Sequence, residues 1–203
     1  MKAEKDYLQD ISEIRSIMER SSKFLSLSGL AGVLAGIYAT IGASIMHQVF
    51  EFNPDSIQYV YPFEELIKVQ TVALIVLLAS VVTAILLSTG KAHKKGEKVW
   101  NLSSKRMLFN FLIPLVAGGL LSLIFLSKGF IGLLAPTTLL FYGMALFSAG
   151  FFTFGDVKYL GLIQITLGLL GFWLVDLGML LWTIGFGITH IVYGAYMHFK
   201  YER

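Results

Sequence analysis

The sequence predicts an all-α fold: a polytopic membrane bundle of six transmembrane helices, preceded by an amphipathic cytoplasmic helix. Composition is the first reason, because 56% of the 203 residues are hydrophobic and only 14% are charged, whereas soluble domains have about 45–50% apolar and about 25% charged residues. The mean hydropathy of +0.72 is the second reason. The third is that the apolar residues form unbroken runs such as 71–87, not the alternation that a transmembrane barrel requires.

Six segments are apolar over nearly the full length that a helix needs to cross a hydrocarbon core, which is about 20 residues for about 30 Å. The predicted spans are 24–49, 66–89, 107–127, 129–153, 158–175 and 178–198. The fifth is the shortest, and at about 1.5 Å per residue it crosses only with little tilt. Residues 24–203 are therefore predicted to form one transmembrane domain, with residues 1–23 outside it.

The basic residues predict how the bundle lies in the membrane. All of the 16 Lys and Arg residues except Lys68 and Lys128 fall in the N-terminal arm, in the even-numbered loops or at the C-terminus. Because basic loops stay in the cytoplasm, we expect both termini there. The polar arm that precedes the first apolar run also argues against a cleavable signal peptide. The excess of positive charge follows from this asymmetry, so no nucleic-acid partner is expected.

The N-terminal arm, residues 1–23, is predicted to be a helix with an apolar seam. Tyr7, Ile11, Ile14 and Met18 recur at spacings of four, three and four, as in a heptad repeat. The arm is too short for an independent coiled coil. One interpretation is a helix that lies at the lipid headgroups. The other is a helix that docks a cytoplasmic regulatory protein or a second copy of the chain.

The candidate ligand-binding residues lie around the one ionisable side chain deep in a predicted span, His190. Gln164 lies at matching depth on the fifth span, and Thr189 and Tyr193 flank the histidine on the sixth. Tyr142 of the fourth span completes this neutral polar group. We predict that His190 is buried, faces the fifth span and lies within reach of Gln164.

Two interpretations of His190 stay open. It is either a neutral histidine that joins two helices by hydrogen bonding to Gln164 or to a backbone carbonyl, or a group that binds a ligand or senses pH, because histidine titrates near neutrality. Haem ligation is disfavoured, since His47 lies at the outer edge of its span and does not match the depth of His190.

Spans three–four and five–six align as a hairpin repeat at an offset of 51 positions. Thr138 then matches Thr189, the pair at 142–143 matches the pair at 193–194, and Gly118 falls within one position of Gly168. Internal duplication of this kind is common in membrane bundles. The repeat adds Thr138 to the candidate site, although so few matches in an apolar background also arise by chance.

Two stretches resemble a known family. One reads DISEIRSIMERSSKFLSLSG over residues 10–29, and the other reads LWTIGFGITHIVYG over residues 181–194 and is followed by the tail KYER. Together they resemble an uncharacterised family of six-span membrane proteins from the Bacteroidota. The resemblance runs over essentially the whole chain. It implies a bacterial source and an inner-membrane location, and it supplies no activity and no site residues.

No pattern in the sequence indicates catalysis. There is no metalloprotease, serine-hydrolase or Walker motif. Cysteine is absent, which excludes disulfides and thiolate metal sites. We therefore expect neither a catalytic residue nor a metal ligand nor a cofactor.

Two functional hypotheses follow from the sequence. The first is a non-catalytic membrane sensor or regulatory partner that acts through the N-terminal arm. The alternative is a small transporter or channel for a neutral or weakly polar solute. The neutral polar group and two prolines, Pro114 and Pro136, favour the alternative, since each proline removes a backbone hydrogen bond and can kink a span.

Overall fold

The computed structural model describes residues 23–54, 56–58, 61–96 and 98–202. About 80% of the chain is helical, and the described part contains no strand. It contains six helices: α1 (Gly29–Gln48), α2 (Phe63–Lys94), α3 (Leu102–Ser127), α4 (Ile131–Ala149), α5 (Val157–Trp173) and α6 (Val175–Tyr201). The all-α prediction is confirmed.

Five of these helices are long and apolar enough to cross a membrane, and α5, with 17 residues, is the shorter sixth. Helices α4 and α6 each begin with a short 3-10 turn, Ile131–Leu133 and Val175–Leu177. Pro136 lies in the first α-helical turn of α4. The N–H groups of a first turn have no intrahelical acceptor, so the N–H that proline lacks removes no hydrogen bond from the helix. It therefore does not interrupt its span, whereas Pro114 lies inside α3.

The first helix begins later than the sequence predicts. Residues 24–28, which we call the strap, are non-helical and precede Gly29. The backbone N–H of Phe24 donates to Phe152 O, at 2.8 Å, and the Thr153 hydroxyl donates to Phe24 O, at 2.6 Å. Both backbone polar groups of Phe24 are therefore satisfied by the segment between α4 and α5, and the strap starts no helix.

The second helix is longer than predicted at both ends. Its first turn contains Glu64 and Glu65, and its last turn contains Lys91, His93 and Lys94. Acidic groups near a helix N-terminus and basic groups near its C-terminus interact favourably with the helix dipole. These charged residues extend α2 at both ends beyond the apolar run from which the span was predicted.

Glycines bring two pairs of helices into backbone contact. A Cβ on Gly143 of α4 would lie 2.6 Å from Ile165 N of α5. On the other pair, a Cβ on Gly194 of α6 would lie 2.5 Å from Val33 N of α1. Small residues at such crossings let helices approach closely. The α4–α5 and α1–α6 pairs form the interior of the bundle.

Helices α2 and α3 lie at its edge. The buried residues of α2 are Val69, Ser88 and Ala92 in a helix of 32 residues. Most large aliphatic side chains of α2 and α3 are exposed. Apolar surface of this extent suits contact with lipid or another apolar partner.

The strap, the last turn of α2, the segment 150–156 and the last turn of α6 meet at one end of the bundle, which we call the terminal end. At the opposite end, the N–H of Gly132 donates to Ile57 O, at 3.3 Å.

Candidate functional site

The carbonyl of Gly185 accepts three side-chain hydrogen bonds inside the bundle. Gln164 Nε2 of α5 donates to it at 2.7 Å, and His190 Nδ1 of α6 lies at 2.9 Å from it. The third donor is the hydroxyl of Thr189, to which Gln164 Nε2 also donates, at 3.0 Å. With Tyr142, described below, these residues form what we call the Gly185 network.

The local backbone explains why one carbonyl attracts three donors. Residues Thr183–Ile188 form a π-helical turn within α6, and the N–H of Thr189 bonds to Ile184 O, five residues back. A π turn displaces the backbone ladder by one residue and is frequent at functional sites. His190 follows Gly185 by five residues, which is the hydrogen-bonding interval of a π turn, and its ring bonds to the Gly185 carbonyl.

The hydrogen bonds assign the tautomer of His190. A carbonyl can only accept, so Nδ1 carries the proton and Nε2 is the acceptor of a neutral ring. Tyr142 Oη of α4 lies 2.9 Å from Nε2 and donates to it. Both ring nitrogens are therefore satisfied, and the network connects α4, α5 and α6.

Aromatic rings enclose one side of the network. Phe186 stacks on the His190 ring at 5.9 Å between centroids and packs against Tyr142 at 5.0 Å. Trp182 extends this stack along α6, at 4.8 Å from Phe186. Phe111 of α3 meets Tyr142 edge-on at 6.0 Å. These contacts hold the Tyr142 ring in the orientation that its hydrogen bond requires.

The predicted burial of His190 and Gln164 is confirmed, since their exposed fractions are 5% and 0%. The two side chains meet at a shared acceptor, the Gly185 carbonyl, and the direct side-chain partner of His190 is Tyr142. Thr189 belongs to the same network.

Two other predicted site residues lie outside the network. The Thr138 hydroxyl donates to Ala135 O of its own helix, at 2.9 Å. Tyr193 packs with Phe154, Val157 and Met197 near the terminal end. The seam of the arm, Tyr7, Ile11, Ile14 and Met18, lies outside the described residues.

Among the described residues, three buried side-chain oxygens have no hydrogen-bond partner: Thr137 Oγ1, Gln164 Oε1 and Tyr193 Oη. Only Gln164 belongs to the Gly185 network. Its Oε1 lies against Gly185, because a Cβ built on that glycine would be 2.6 Å from it. The network thus keeps one acceptor without a donor.

A second cluster, at the terminal end, is centred on Glu202. Its Oε1 accepts the backbone N–H of Gly29 at 2.7 Å and Lys91 Nζ at 3.0 Å. Its Oε2 lies 2.6 Å from His198 Nδ1, and Lys91 Nζ also donates to Leu27 O, at 2.7 Å. We call this cluster the terminal latch. It joins α1, α2, α6 and the strap.

Electrostatics favour the ionised form of Glu202. Burial by itself raises the pKa of this carboxyl, but the hydrogen bonds from the N–H of Gly29, from His198 and from Lys91, together with the charge of Lys91, hold the pKa below its usual range. The N-terminus of α1 adds partial positive charge at the same place. Glu202 is therefore a carboxylate in the latch.

A separate ion pair lies at the same end. Asp156 Oδ2 accepts from Lys200 Nζ at 2.8 Å, from Tyr201 Oη at 2.9 Å and from Tyr196 Oη at 3.3 Å. Burial raises the pKa of Asp156, but these bonds and the charge of Lys200 outweigh it and lower the pKa. This pair connects α6 to the segment before α5.

No sequence pattern pointed to the terminal latch. Lys91 is one of several lysines in a basic loop, and Glu202 is a polar residue in a charged tail. The two are separated by 111 positions. A contact of that separation depends on which helices pack together, and local periodicity carries no information about it.

Within residues 23–54, 56–58, 61–96 and 98–202, no group of three or more His, Asp or Glu side chains is arranged to hold a metal ion. The site is therefore interpreted from its hydrogen bonds and packing. No known protein family, curated protein or solved structure matches the chain.

Proposed function

We propose that the protein is a non-catalytic integral membrane sensor or regulatory partner that acts on a cytoplasmic protein through residues 1–23. The observation that carries this proposal is the attachment of the strap. The strap follows the arm directly, bonds to the segment 150–156 and to α2, and leads into Gly29 of α1, whose N–H donates to Glu202 at the end of α6. A displacement of any of these elements would be transmitted through the strap to the arm.

We further propose that the bundle lies in a bacterial inner membrane with both termini in the cytoplasm. Five helices of sufficient length and hydropathy support the insertion. The orientation is supported by the basic residues of the α2–α3 connection, which lie at the terminal end with the strap and Glu202. Basic connections of this kind stay on the cytoplasmic side. The Bacteroidota-type family resemblance agrees with this location.

A sensor needs an element with two arrangements that a signal binds with different affinity. The π turn of α6 is our candidate for that element, because it carries the acceptor of the Gly185 network. Helix α6 continues from the turn to the terminal latch. A change of register at the turn would therefore move Glu202 relative to Gly29.

The test is capture of cytoplasmic proteins by crosslinking in membranes that contain either the full chain or a chain without residues 1–22. We expect at least one protein to be captured only with the arm. Ile11→Asp and Ile14→Asp, on the seam, should abolish this capture. Ser16→Asp, on the opposite face of the predicted helix, is the matched control and should retain it. Equal capture with and without the arm would overturn the proposal.

A small transporter or channel for a neutral or weakly polar solute is the second candidate. It is favoured by the uncharged hydrogen-bonding network in the bundle interior and by its unpaired acceptor, Gln164 Oε1. The test is solute flux into liposomes that contain the folded protein. A flux that Gln164→Leu abolishes and Thr166→Val retains would support it, because Thr166 bonds only within its own helix, to Leu162 O. No flux across a broad solute panel would count against it.

A further inference from the structure

We propose that the connection between α2 and α3 binds the headgroup of an anionic phospholipid, whose acyl chains lie along the exposed faces of the two helices. This binding rests on the proposed membrane location and needs no partner of the arm. The exposed basic side chains around the connection form what we call the basic patch: His93, Lys94, Lys95, Lys98, Lys105 and Arg106.

The first step concerns the charge of the patch. Residues 92–106 contain five Lys or Arg residues and one acidic residue, Glu97. Lys91, in the last turn of α2, is already occupied, because its ammonium donates to Glu202 Oε1 and to Leu27 O. No carboxylate in the described part of the chain forms an ion pair with a side chain of the basic patch. The patch therefore presents positive charge, which attracts anionic headgroups.

The second step concerns the space beside these charges. An open cleft of about 550 Å³ lies here, lined by His93, Gly96, Lys98, Val99 and Trp100. Its volume falls within the range of about 300–1,000 Å³ that is usual for small-molecule sites. The cleft thus has room for a phosphodiester headgroup, with basic side chains and an aromatic ring around it.

Helix ends fix the geometry of the cleft on both sides. Gly96 has a φ of 66°, and its N–H donates to His93 O at 3.0 Å, which ends α2. On the other side, the side chain of Asn101 accepts the N–H of Ser104 at 2.8 Å and caps the start of α3. The connection is therefore held between two capped helix ends.

The third step concerns the apolar surface next to the patch. Trp100 is 63% exposed, and the ammonium of Lys105 lies 5.8 Å from the centre of its ring. Tryptophan is enriched at the headgroup level of membranes. Large apolar side chains are exposed on both adjoining helices, among them Leu86 of α2 and Phe109 of α3. Basic charge beside an apolar surface fits a molecule with an anionic headgroup and acyl chains, whereas a soluble anion would contact only the charge.

Lipid binding to the full-length protein in detergent tests the proposal. The protein is titrated with phosphatidylglycerol or with phosphatidylcholine of the same acyl chains, and bound lipid is measured by native mass spectrometry. We expect phosphatidylglycerol to bind at least tenfold more tightly. Inorganic phosphate at the same concentration should not displace it. Displacement by phosphate would identify a soluble anion as the ligand and overturn the lipid proposal.

Removal of two charges tests whether the patch is the site. Lys98→Gln combined with Lys105→Gln should weaken phosphatidylglycerol binding at least about tenfold, because one basic residue near an anionic surface contributes about fivefold. Lys68→Gln combined with Lys128→Gln is the matched control. It removes the same charge from exposed positions near the opposite ends of α2 and α3. We expect no change with it.

Removal of the ring tests the site without altering its charge. Trp100→Ser should weaken phosphatidylglycerol binding about threefold, the size of an exposed cation–π contact. Trp173→Ser is the control, because Trp173 is also exposed and ends α5, away from the patch. Both positions are exposed, so neither variant should change the melting curve. Equal binding by the two variants would overturn the role of Trp100 in the site.

Two further results would overturn the proposal. One is equal affinity for phosphatidylglycerol and phosphatidylcholine. The other is an equal loss of binding in the Lys68 and Lys128 control, which would show that net charge alone attracts the lipid. Binding of neither lipid would count against the membrane location as well. Selective binding through the patch without a captured cytoplasmic protein would support the lipid site and count against the proposed function.

Discussion

Tyr142 and His190 are joined by a hydrogen bond of 2.9 Å that links α4 to α6 in the interior of the bundle. The carbonyl of Gly185 assigns the tautomer, because it can only accept and so takes the proton on Nδ1. Nε2 is then the acceptor for the Tyr142 hydroxyl, which ties α4 to the Gly185 network.

Tyr142→Phe removes the donor to His190 Nε2 and leaves that buried acceptor unpaired. Interhelical hydrogen bonds in membrane proteins average about 0.6 kcal/mol and reach about 1.7 kcal/mol. We expect a loss of unfolding free energy in this range, measured by denaturant unfolding in mixed micelles. Tyr159→Phe, at an exposed ring, should change stability by less than about 0.5 kcal/mol. An equal effect of the two variants would mean that the 2.9 Å contact contributes nothing.

His190→Leu separates a structural histidine from a functional one. Gly185 O keeps its bonds from Gln164 and Thr189 after the change. The loss of unfolding free energy should therefore stay below about 2 kcal/mol. Partner capture and solute flux are the activities to compare with melting behaviour. If the variant keeps its melting temperature but loses capture or flux, the histidine has a role beyond joining helices.

Gly185→Ala introduces a Cβ against the ends of two fully buried side chains, those of Leu139 and Gln164. It would overlap Leu139 Cδ2 and lie 2.6 Å from Gln164 Oε1. Overpacking of this kind costs about 1–3 kcal/mol, so the melting temperature should fall. Gly119→Ala on α3 is the control, because nothing lies within 4 Å of the added atom and alanine favours a helix over glycine by about 1 kcal/mol. A stable Gly185→Ala protein would contradict the close contact between α5 and α6.

Acid should open the terminal end. The pKa values of Glu202 and Asp156 are lowered in the folded protein, so their contribution to stability is fully present above the unfolded values of about 4.3 and about 3.9. It is lost as the pH falls below those values and through the folded ones. We expect the melting temperature to drop in this window. The drop should be smaller in Glu202→Gln, and an identical pH profile would show that the carboxylate is not stabilised.

The residues that align in the predicted hairpin repeat do not all have the same role in the structure. One glycine match has equivalent roles, since Gly143 and Gly194 both sit at backbone contacts between helices. The matched threonines have different roles, because Thr138 bonds within its own helix whereas Thr189 belongs to the Gly185 network. Close packing allows only small residues at either helix crossing. The hydrogen-bond partner of a hydroxyl, by contrast, depends on which acceptors lie near it in the folded protein.

The sequence by itself determined the helical class, the number of apolar segments and the burial of His190 and Gln164. These properties depend on hydropathy and on the distance along a helix, both of which are local. Only the tertiary structure decided that Tyr142 is the partner of His190. The π turn at Thr183–Ile188 changes the side of the helix on which each following residue lies. No periodicity in the sequence indicates that change.

The contact between Glu202 and Gly29 was equally out of reach of the sequence, because it joins residues 173 positions apart. The start of α1 was predicted at residue 24 because the apolar run begins there. The structure begins the helix at Gly29, since the backbone of the strap finds better partners in Phe152, Thr153 and Lys91 than in a further helical turn. Hydropathy governs which segments enter an apolar environment, whereas the competition between backbone partners from distant segments governs where each helix begins.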